Sequence, residues 1–295
     1  MAVTLPGPLV EADWLQEHLG APGLRILDCT VFLRPRSSPG PGDRRSWVQE
    51  SGRAAWELGH IPGASFVDLA RELSDQDVPL PFMLPPAAQF QRAMAAHGVS
   101  DDSAVVCYDA AGMMWAARVW WMLRAFGFDN AAVLNGGWRK WQAEGRPVST
   151  EVPTVEPGQF TARPRPELIA SKEEVLAAIN DGQVCIVNAL TPEQHSGKHG
   201  SPYGRPGRIP SSVNLSAQAL IDPETHAYRP LDDIRRMFEA TGRTGARRVI
   251  TYCGGGIAAS SDALALTLLG YDDIAVYDGS LSEWARDESL PIETD

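Results

Sequence analysis

Short, mostly apolar runs alternate along the chain with longer stretches of helical character. The runs lie at residues 24–27, 104–108, 184–187, 249–252 and 274–277. Each run has the length of a buried strand, and the stretch at 257–269 contains neither proline nor glycine, as expected of a helix. Alternation of this kind predicts an α/β fold, with parallel strands joined by right-handed crossovers and helices on both faces of each sheet.

The first twenty residues predict an amphipathic helix rather than a leader segment. The apolar residues with the spacing of one helix face are Val10, Trp14, Leu15 and Leu19. No basic stretch precedes an apolar one here, and no run of about 18 apolar residues occurs anywhere in the chain. We therefore expect a cytoplasmic protein that makes no contact with a membrane.

Composition limits the class of partner. Of the 295 residues 44% are hydrophobic and 21% are charged, which suits one large domain or two of ordinary size. The net charge of −11 and the lack of any Lys/Arg-rich run argue against nucleic acid as a partner. A small anion remains compatible with this charge, because a local site can be positive on an acidic protein.

The same series of sequence markers occurs twice. Gly-His-Ile-Pro-Gly-Ala at 59–64 has its counterpart in Gly-Arg-Ile-Pro-Ser-Ser at 207–212. Asp109 follows one apolar run and stands 144 residues before Cys253, which follows another. Later in each half, Trp141 and Trp284 are 143 residues apart, and the constant order and offset predict two tandem domains.

A proline-rich stretch separates the two halves. Its prolines are Pro147, Pro153, Pro157, Pro164 and Pro166. Few large apolar side chains accompany them, which is typical of an extended connector. We therefore predict an N-terminal domain over residues 1–145, a linker over 146–166 and a C-terminal domain over 167–295.

Cys253 lies where a buried strand ends and a helix begins, followed directly by three glycines. Ligands of open α/β sheets bind at this end of parallel strands. Glycines let the main chain curl closely around a ligand, and the N–H groups of the loop and the helix N-terminus favour an anion there. The arrangement indicates a reactive thiolate and would equally stabilise a persulfide anion.

The other candidate ligands and nucleophiles suggest structural roles. Cys29, Cys107 and Cys185 lie in or beside apolar runs, and the absence of a CxxC pair argues against a zinc site or a disulfide scaffold. His195 and His199 are four residues apart, but the glycines and proline around them indicate a loop rather than a helix face. We expect no metal and no organic cofactor.

These motifs together resemble a two-domain rhodanese, the family of thiosulfate and 3-mercaptopyruvate sulfurtransferases. The resemblance covers nearly the whole chain and includes His-Ile-Pro-Gly-Ala at 60–64, Met-Leu-Pro-Pro at 83–86, Leu-Asn-Gly-Gly-Trp at 134–138 and Val-Tyr-Asp-Gly-Ser at 276–280. It implies two tandem rhodanese-like domains. It also implies a catalytic cysteine at the first position of a six-residue loop in the C-terminal domain.

In this chain that loop consists of Cys253, Gly254, Gly255, Gly256, Ile257 and Ala258. The equivalent loop of the first domain begins with Asp109, which cannot carry sulfur, so the resemblance implies a non-catalytic first domain that helps to close the active-site groove. The implied reaction is ping-pong. Cys253 takes the outer sulfur of a small anionic donor such as thiosulfate, and the persulfide then passes it to cyanide, a thiol or an acceptor protein.

The chain departs from the family pattern where the donor is expected to bind. Thiosulfate-using members commonly have basic residues in the loop, whereas mercaptopyruvate-using members have a neutral loop but commonly a serine at the position of Gly255. The usual Asp-Ser-Arg at the end of a second-domain strand is Asn188-Ala189-Leu190, so the donor-binding arginine is replaced by Leu190.

We expect another cation to replace that arginine, since a donor anion needs a positive partner. Arg208 and Arg205 are the candidates in the nearby stretch. Trp115 belongs to the first-domain segment that faces the groove in relatives, so we expect it to contact substrate or to pack in the core.

Three other functions remain as alternatives. A phosphatase of related fold would need Cys-x₅-Arg, and the sixth residue after Cys253 is Ala259. A non-catalytic binding module would not need Cys253. A dedicated sulfur-delivery enzyme would share the chemistry and differ in its acceptor.

The sequence leaves open the choice between thiosulfate and 3-mercaptopyruvate, the physiological acceptor and the oligomeric state.

Overall fold

The computed structural model describes residues 3–36, 47–198 and 200–295 and contains two five-stranded parallel sheets. The strands of the first half are β1 (Leu9–Val10), β2 (Leu24–Asp28), β3 (Val31–Pro35), β4 (Trp47–Ser51), β5 (Ala64–Phe66), β6 (Ala104–Tyr108) and β7 (Ala131–Leu134). Those of the second half are β8 (Ile169–Ala170), β9 (Val184–Asn188), β10 (Val213–Asn214), β11 (Arg248–Tyr252) and β12 (Ile274–Tyr277).

The two sheets have the same topology. The first is ordered β1-β7-β6-β2-β5 and the second β8-β12-β11-β9-β10, with every neighbouring pair parallel. Strands β3 and β4 form a separate antiparallel pair that belongs to the first half alone. The tandem repeat and the α/β fold class predicted from the sequence are therefore confirmed.

Helices connect and flank the strands. They are α1 (Ala12–Glu17), α2 (Arg53–Leu58), α3 (Ala87–Ala96), α4 (Met114–Ala125), α5 (Gly137–Ala143), α6 (Lys172–Ala178), α7 (Pro192–Ser196), α8 (Leu231–Glu239), α9 (Ile257–Leu268) and α10 (Ser280–Trp284). Every residue of β6, β7 and β12 is buried, because a parallel sheet covered on both faces leaves no strand face to solvent. No helix in the described ranges combines the length and hydrophobicity needed to cross a bilayer.

The two halves meet along equivalent helices. Helix α4 of the first half packs against α9 of the second, and nearly all residues of both are buried. Each of these helices follows the central strand of its own sheet. The loops at their N-termini, which begin at Asp109 and Cys253, are therefore brought to the junction of the halves.

Most predicted elements are found within a residue or two. Helix α9 ends one residue before the predicted end, and Gly270 follows with a φ of +90°. The N–H groups of Gly270 and Tyr271 donate to the carbonyls of Thr267 and Leu266, the hydrogen-bond pattern of a Schellman motif.

The N-terminal prediction is wrong in its extent. Helix α1 covers only Ala12–Glu17. Val10 instead lies in strand β1, where it pairs in register with Leu134, and Leu19 follows the helix. Pairing with β7 determines the conformation of Val10, and helical periodicity alone does not reveal that pairing.

The stretch between α5 and the short 3₁₀ helix at Pro166–Leu168 contains no helix or strand. It is fastened to the first half by backbone hydrogen bonds. Gly158 donates to the carbonyl of Ala95 at 2.7 Å, and Arg163 donates to the carbonyl of Phe126 at 2.8 Å. The connector therefore runs along the surface of the first half before the second begins.

Candidate active site

Cys253 is the first residue after strand β11, and helix α9 begins four residues later. Its residue exposure is 3%, and its side chain lines a cavity between the two halves. Gly256, the residue before the helix, has a φ of +80°, which a side chain would adopt only with strain. The glycine-rich sequence thus allows the tight turn that holds Cys253 at the helix N-terminus.

The hydroxyl of Ser280 organises this turn. Its oxygen accepts the N–H of Cys253 at 3.1 Å and that of Gly256 at 3.2 Å, and the hydroxyl donates to the carbonyl of Tyr277 at 2.7 Å. Ser280 itself has a positive φ of +48°. The three hydrogen bonds of its hydroxyl hold Ser280 in this strained backbone conformation, which the surrounding structure therefore imposes. Ser280 is the last residue of the Val-Tyr-Asp-Gly-Ser motif at 276–280, but the sequence alone assigned it no role.

The equivalent loop of the first half is occupied by its own carboxylate. Asp109 accepts N–H groups from Ala111 at 2.7 Å, Met113 at 3.0 Å, Trp115 at 3.0 Å and Ala116 at 2.8 Å. Burial raises the pKa of this carboxyl group, while the four amide donors act in the opposite direction. The strand–loop–helix unit of this fold therefore forms an anion cradle.

The second cradle is tighter and has free donors. Helix α4 begins five residues after Asp109, whereas α9 begins four residues after Cys253. The N–H groups of Gly254, Gly255 and Ile257 have no acceptor in the part of the chain that the structure describes. Unpaired N–H groups at a helix N-terminus can stabilise a negative charge on sulfur.

Tyr203 packs against the loop. A methyl group placed on Gly254 would lie 2.0 Å from the Cζ atom of Tyr203, whereas one on Gly255 would meet nothing closer than Ser282 Oγ at 3.8 Å. Burial raises the pKa of the Tyr203 hydroxyl, and the nearby Cys253 raises it further. Tyr203 thus forms a neutral wall of the cavity. Position 254 must be a glycine because a larger residue would clash with the Tyr203 ring.

The cavity at Cys253 is small and mostly apolar. Its volume is about 100 Å³. The lining residues are Leu33, Trp47, Pro81, Phe82, Met114, Trp115, Leu190, Pro202, Tyr203, Cys253, Gly254, Gly255, Ile257, Ala258, Ser282 and Arg286. The predicted loop residues Gly254, Gly255, Ile257 and Ala258 are among them. Gly256 is absent from this lining and acts through the backbone turn.

Arg286 is the charged residue in that lining. It is exposed, and its guanidinium has no hydrogen-bonded partner among the described residues. Leu190, at the position where the family resemblance implied an arginine, also lines the cavity. Arg286 is therefore the positively charged side chain at this cavity, and it was not among the residues predicted from the sequence.

The two predicted arginines lie elsewhere. Arg205 donates to the carbonyls of Ala285, Asp287 and Leu290 and so fixes the chain after α10. Arg208 forms ion pairs with Glu293 at 3.3 Å and with Asp295 at 2.6 Å. Neither residue lines the cavity at Cys253, because each guanidinium binds the C-terminal segment.

Trp115 is brought to the cavity as the sequence suggested. Its ring is buried at the start of α4 and lies 5.1 Å from the ring of Phe82. The indole Nε1 atom has no hydrogen-bond partner among the described residues. Trp115 is therefore a core residue that also lines the cavity containing Cys253.

A buried ion pair lies behind the loop. Arg118 of α4 is 2.6 Å from Asp278, which follows β12, and their side chains are 0% and 6% exposed. A methyl group placed on Gly256 would come within 2.9 Å of Arg118 and 2.8 Å of Asp278. Asp278 also accepts the N–H of Leu84 at 2.7 Å. The first half thus contacts the back of the Cys253 loop. The apolar sequence of helix α4 does not by itself indicate this contact.

The remaining cysteines are in the cores. Cys29, Cys107 and Cys185 are fully buried, and all four cysteines are free thiols. Burial raises the pKa of Cys29 and raises that of Cys185 to about 11. Cys29 and Cys185 are poor nucleophiles at neutral pH for this reason.

His195 belongs to a single-turn helix rather than to a loop. Helix α7 begins with a reciprocal capping box between Thr191 and Gln194 and ends at Gly197 in a left-handed conformation. Burial, together with a smaller effect of Arg208, lowers the pKa of His195 to about 4. His199 lies outside the described residues, and within them no cluster of three or more metal-ligating side chains occurs.

The rhodanese-like domain family matches residues 11–144 and residues 171–287, one copy for each sheet. The chain belongs to this family. It is 33% identical over 286 residues to a 3-mercaptopyruvate sulfurtransferase of Escherichia coli, covering 96% of this chain and 97% of that protein. It is 35% identical over 285 residues to a thiosulfate sulfurtransferase of Bos taurus, covering 94% and 91%.

Solved structures agree with this assignment. One is the crystal structure of SseA from Escherichia coli, described among the 3-mercaptopyruvate sulfotransferases. It superposes with a TM-score of 0.77 at 30% identity, and the match covers 93% of this chain and 98% of that chain. The Tum1 protein of Saccharomyces cerevisiae gives a TM-score of 0.80 at 20% identity, covering 99% and 100%, and supports the fold alone. The family and these relatives place the chain among the sulfurtransferases.

Proposed function

We propose that this enzyme moves one sulfur atom from a small anionic donor to a nucleophilic acceptor through a persulfide on Cys253. One observation carries the proposal. Cys253 lines the cavity between the two halves, whereas the other three cysteines are fully buried in the cores. Among the described residues, the adjacent N–H groups of Gly254, Gly255 and Ile257 have no acceptor and are free to stabilise anionic sulfur. Asp109 supports it, because the equivalent N–H groups in the first half bind a carboxylate.

The first half-reaction loads the cysteine. The thiolate of Cys253 attacks the outer sulfur of thiosulfate, a new S–S bond forms, and the S–S bond of the donor breaks with its electron pair leaving on sulfite. With 3-mercaptopyruvate the C–S bond breaks instead, and the resulting enolate takes the thiol proton to give pyruvate. Both routes leave the same Cys253 persulfide, without an external oxidant or reductant.

The second half-reaction discharges it. Cyanide or a thiolate attacks the outer sulfur, and the electrons of the enzyme's S–S bond return to Cys253. The first half of the chain takes no covalent part in the reaction, because Asp109 occupies the position of the nucleophile.

A cytoplasmic location of the protein remains a prediction.

Arg286 is the residue that we assign to the donor anion. It stands at the cavity mouth with an unpaired guanidinium, whereas Arg205 and Arg208 are bound to the C-terminal segment. The apolar lining favours 3-mercaptopyruvate as a second candidate donor. Its single carboxylate requires the desolvation of less charge than the thiosulfate dianion does.

Mass spectrometry of the intact protein tests the proposal. Reduced protein is treated with thiosulfate or with 3-mercaptopyruvate, and we expect a gain of one sulfur atom, about 32 Da, that cyanide removes. Cys253→Ala should abolish the gain, whereas Cys185→Ala, a matched control in the core, should retain it. The donor that loads faster defines the substrate. No gain with either donor would contradict the proposal.

A further inference from the structure

A second and larger cavity lies next to the one that contains Cys253. Its volume is about 530 Å³, and it is lined by residues of both halves. The residues that line both cavities form a common wall: Leu33, Trp47, Met114, Leu190, Tyr203 and Ala258. We infer that the larger cavity is an acceptor subsite for an organic thiol that carries a carboxylate, an inference that rests on the sulfur transfer proposed above.

Size separates the roles of the two cavities. About 100 Å³ at Cys253 accommodates a transferable sulfur with a few further atoms, such as a small donor or cyanide. The adjoining space of about 530 Å³ falls within the range of ordinary small-molecule sites, roughly 300–1,000 Å³. A thiol of several hundred daltons that places its sulfur at Cys253 needs an adjoining space of this kind for its remaining atoms.

The charge of the larger cavity favours an anion. Asp109 is the acidic residue in its lining, and both of its oxygens already accept amide N–H groups. Arg139 is exposed and donates from its Nε atom to the carbonyl of Ala110 at 3.0 Å, and its two terminal nitrogens have no partner among the described residues. His226 is the other titratable group with a basic side chain in the lining. The available charge is therefore positive.

Two amide side chains extend the polar part of the cavity. Gln194 accepts the N–H of Thr191 with its Oε1 atom and retains an unpaired Nε2 donor. Gln218 is exposed and makes no side-chain hydrogen bond with the described residues. A guanidinium with adjacent amides can bind a carboxylate and a peptide-like amide together.

The step proposed for this subsite balances without an added reagent. The thiolate of the acceptor attacks the outer sulfur of the Cys253 persulfide and forms a new S–S bond. The bond between the two persulfide sulfurs of the enzyme breaks, and Cys253 leaves as a thiolate. The product is the persulfide of the acceptor.

The test measures discharge from enzyme already loaded with sulfur. Glutathione serves as the probe with carboxylates and amides, 2-mercaptoethanol as the uncharged thiol, and cyanide as the small acceptor. In Arg139→Gln we expect the rate constant for glutathione to fall about tenfold, the loss of one charge-assisted hydrogen bond. Discharge by 2-mercaptoethanol and cyanide should change by less than about twofold. Arg139→Lys should retain most of the glutathione rate.

Two further variants guard against indirect effects. Gln218→Trp narrows the cavity at an exposed position and should also slow glutathione selectively. Arg92→Gln removes an exposed arginine of α3 that lines neither cavity and should change nothing.

The possible failures are distinguishable. An equal slowing with all three acceptors, or no slowing with glutathione, would overturn the subsite while persulfide loading still supported the proposed function. A wild-type enzyme that loads no sulfur would overturn both.

Discussion

Arg118 of the first half and Asp278 of the second form an ion pair at 2.6 Å directly behind the Cys253 loop. Arg118 also donates to the carbonyl of Phe82 at 2.7 Å, and its guanidinium lies 4.7 Å from the ring of Trp121. The pair thus joins the halves at the point where the first half supports the loop.

Removal of one member of this pair should destabilise the protein strongly. Arg118→Leu leaves the Asp278 carboxylate buried without its cation, and we expect the free energy of unfolding to fall by about 3–5 kcal/mol. Chemical denaturation measures the loss. Arg34→Gln is the control, since the Arg34–Glu50 pair is exposed and should contribute little to the free energy of unfolding. Equal effects of the two substitutions would contradict the role given to the buried pair.

The first two glycines after Cys253 should differ sharply in their tolerance of side chains. Gly254→Ala forces a methyl group into the ring of Tyr203, and the displaced loop should load sulfur up to about a hundredfold more slowly. Gly255→Ser has space and should load within about threefold of the wild type. Rapid-mixing measurements of loading test this. Equal rates in the two variants would show that the ring does not hold the loop.

Arg286 should determine donor affinity. In Arg286→Gln we expect the KM for thiosulfate and for 3-mercaptopyruvate to rise about tenfold with little change in kcat, because a charge-assisted contact is lost before the sulfur transfer. Arg286→Lys should restore part of the affinity. Arg208→Gln should leave KM unchanged, since Arg208 binds Glu293 and Asp295. A rise in KM in Arg208→Gln but not in Arg286→Gln would show that Arg208, as first expected from the sequence, binds the donor anion.

His195 should make folding stability depend on pH in mildly acidic solution. Its folded pKa is lowered to about 4 from the usual 6.5, so the unfolded chain takes up a proton between these values while the folded protein does not. The Tm of the wild type should therefore fall more than that of His195→Asn as the pH drops from about 6.5 to 4. Above about pH 6.5 the difference between the two should be constant. Parallel Tm profiles throughout would contradict the lowered pKa.

The repeat and the position of Cys253 could be predicted because both depend on local sequence. A buried strand, three glycines and a helix without breakers determine where the cysteine stands, and the constant offset between Asp109 and Cys253 indicates the pseudo-equivalent loops. The domain boundaries at 145 and 167 remain predictions, since the connector packs continuously on the first half.

The contacts around Cys253 could not be predicted, because they join segments that are distant in sequence. Arg286 follows the last helix and reaches the cavity only through the packing of α10, whereas Arg205 and Arg208 are nearer to the altered motif but bind the C-terminus. Arg118 lies within an apolar helical run, and its role depends on Asp278, 160 positions away. Proximity in sequence therefore did not indicate which arginine lines the cavity.

The most direct test of the account follows the sulfur atom itself. Thiosulfate radioactively labelled in its outer sulfur is mixed with the enzyme, excess donor is removed, and the labelled protein is digested without reduction. We predict one label per chain on the peptide that contains Cys253, released by cyanide as thiocyanate. Label on a peptide of Cys29, Cys107 or Cys185, or no stable label in an enzyme that nevertheless turns over thiosulfate, would contradict a Cys253 persulfide.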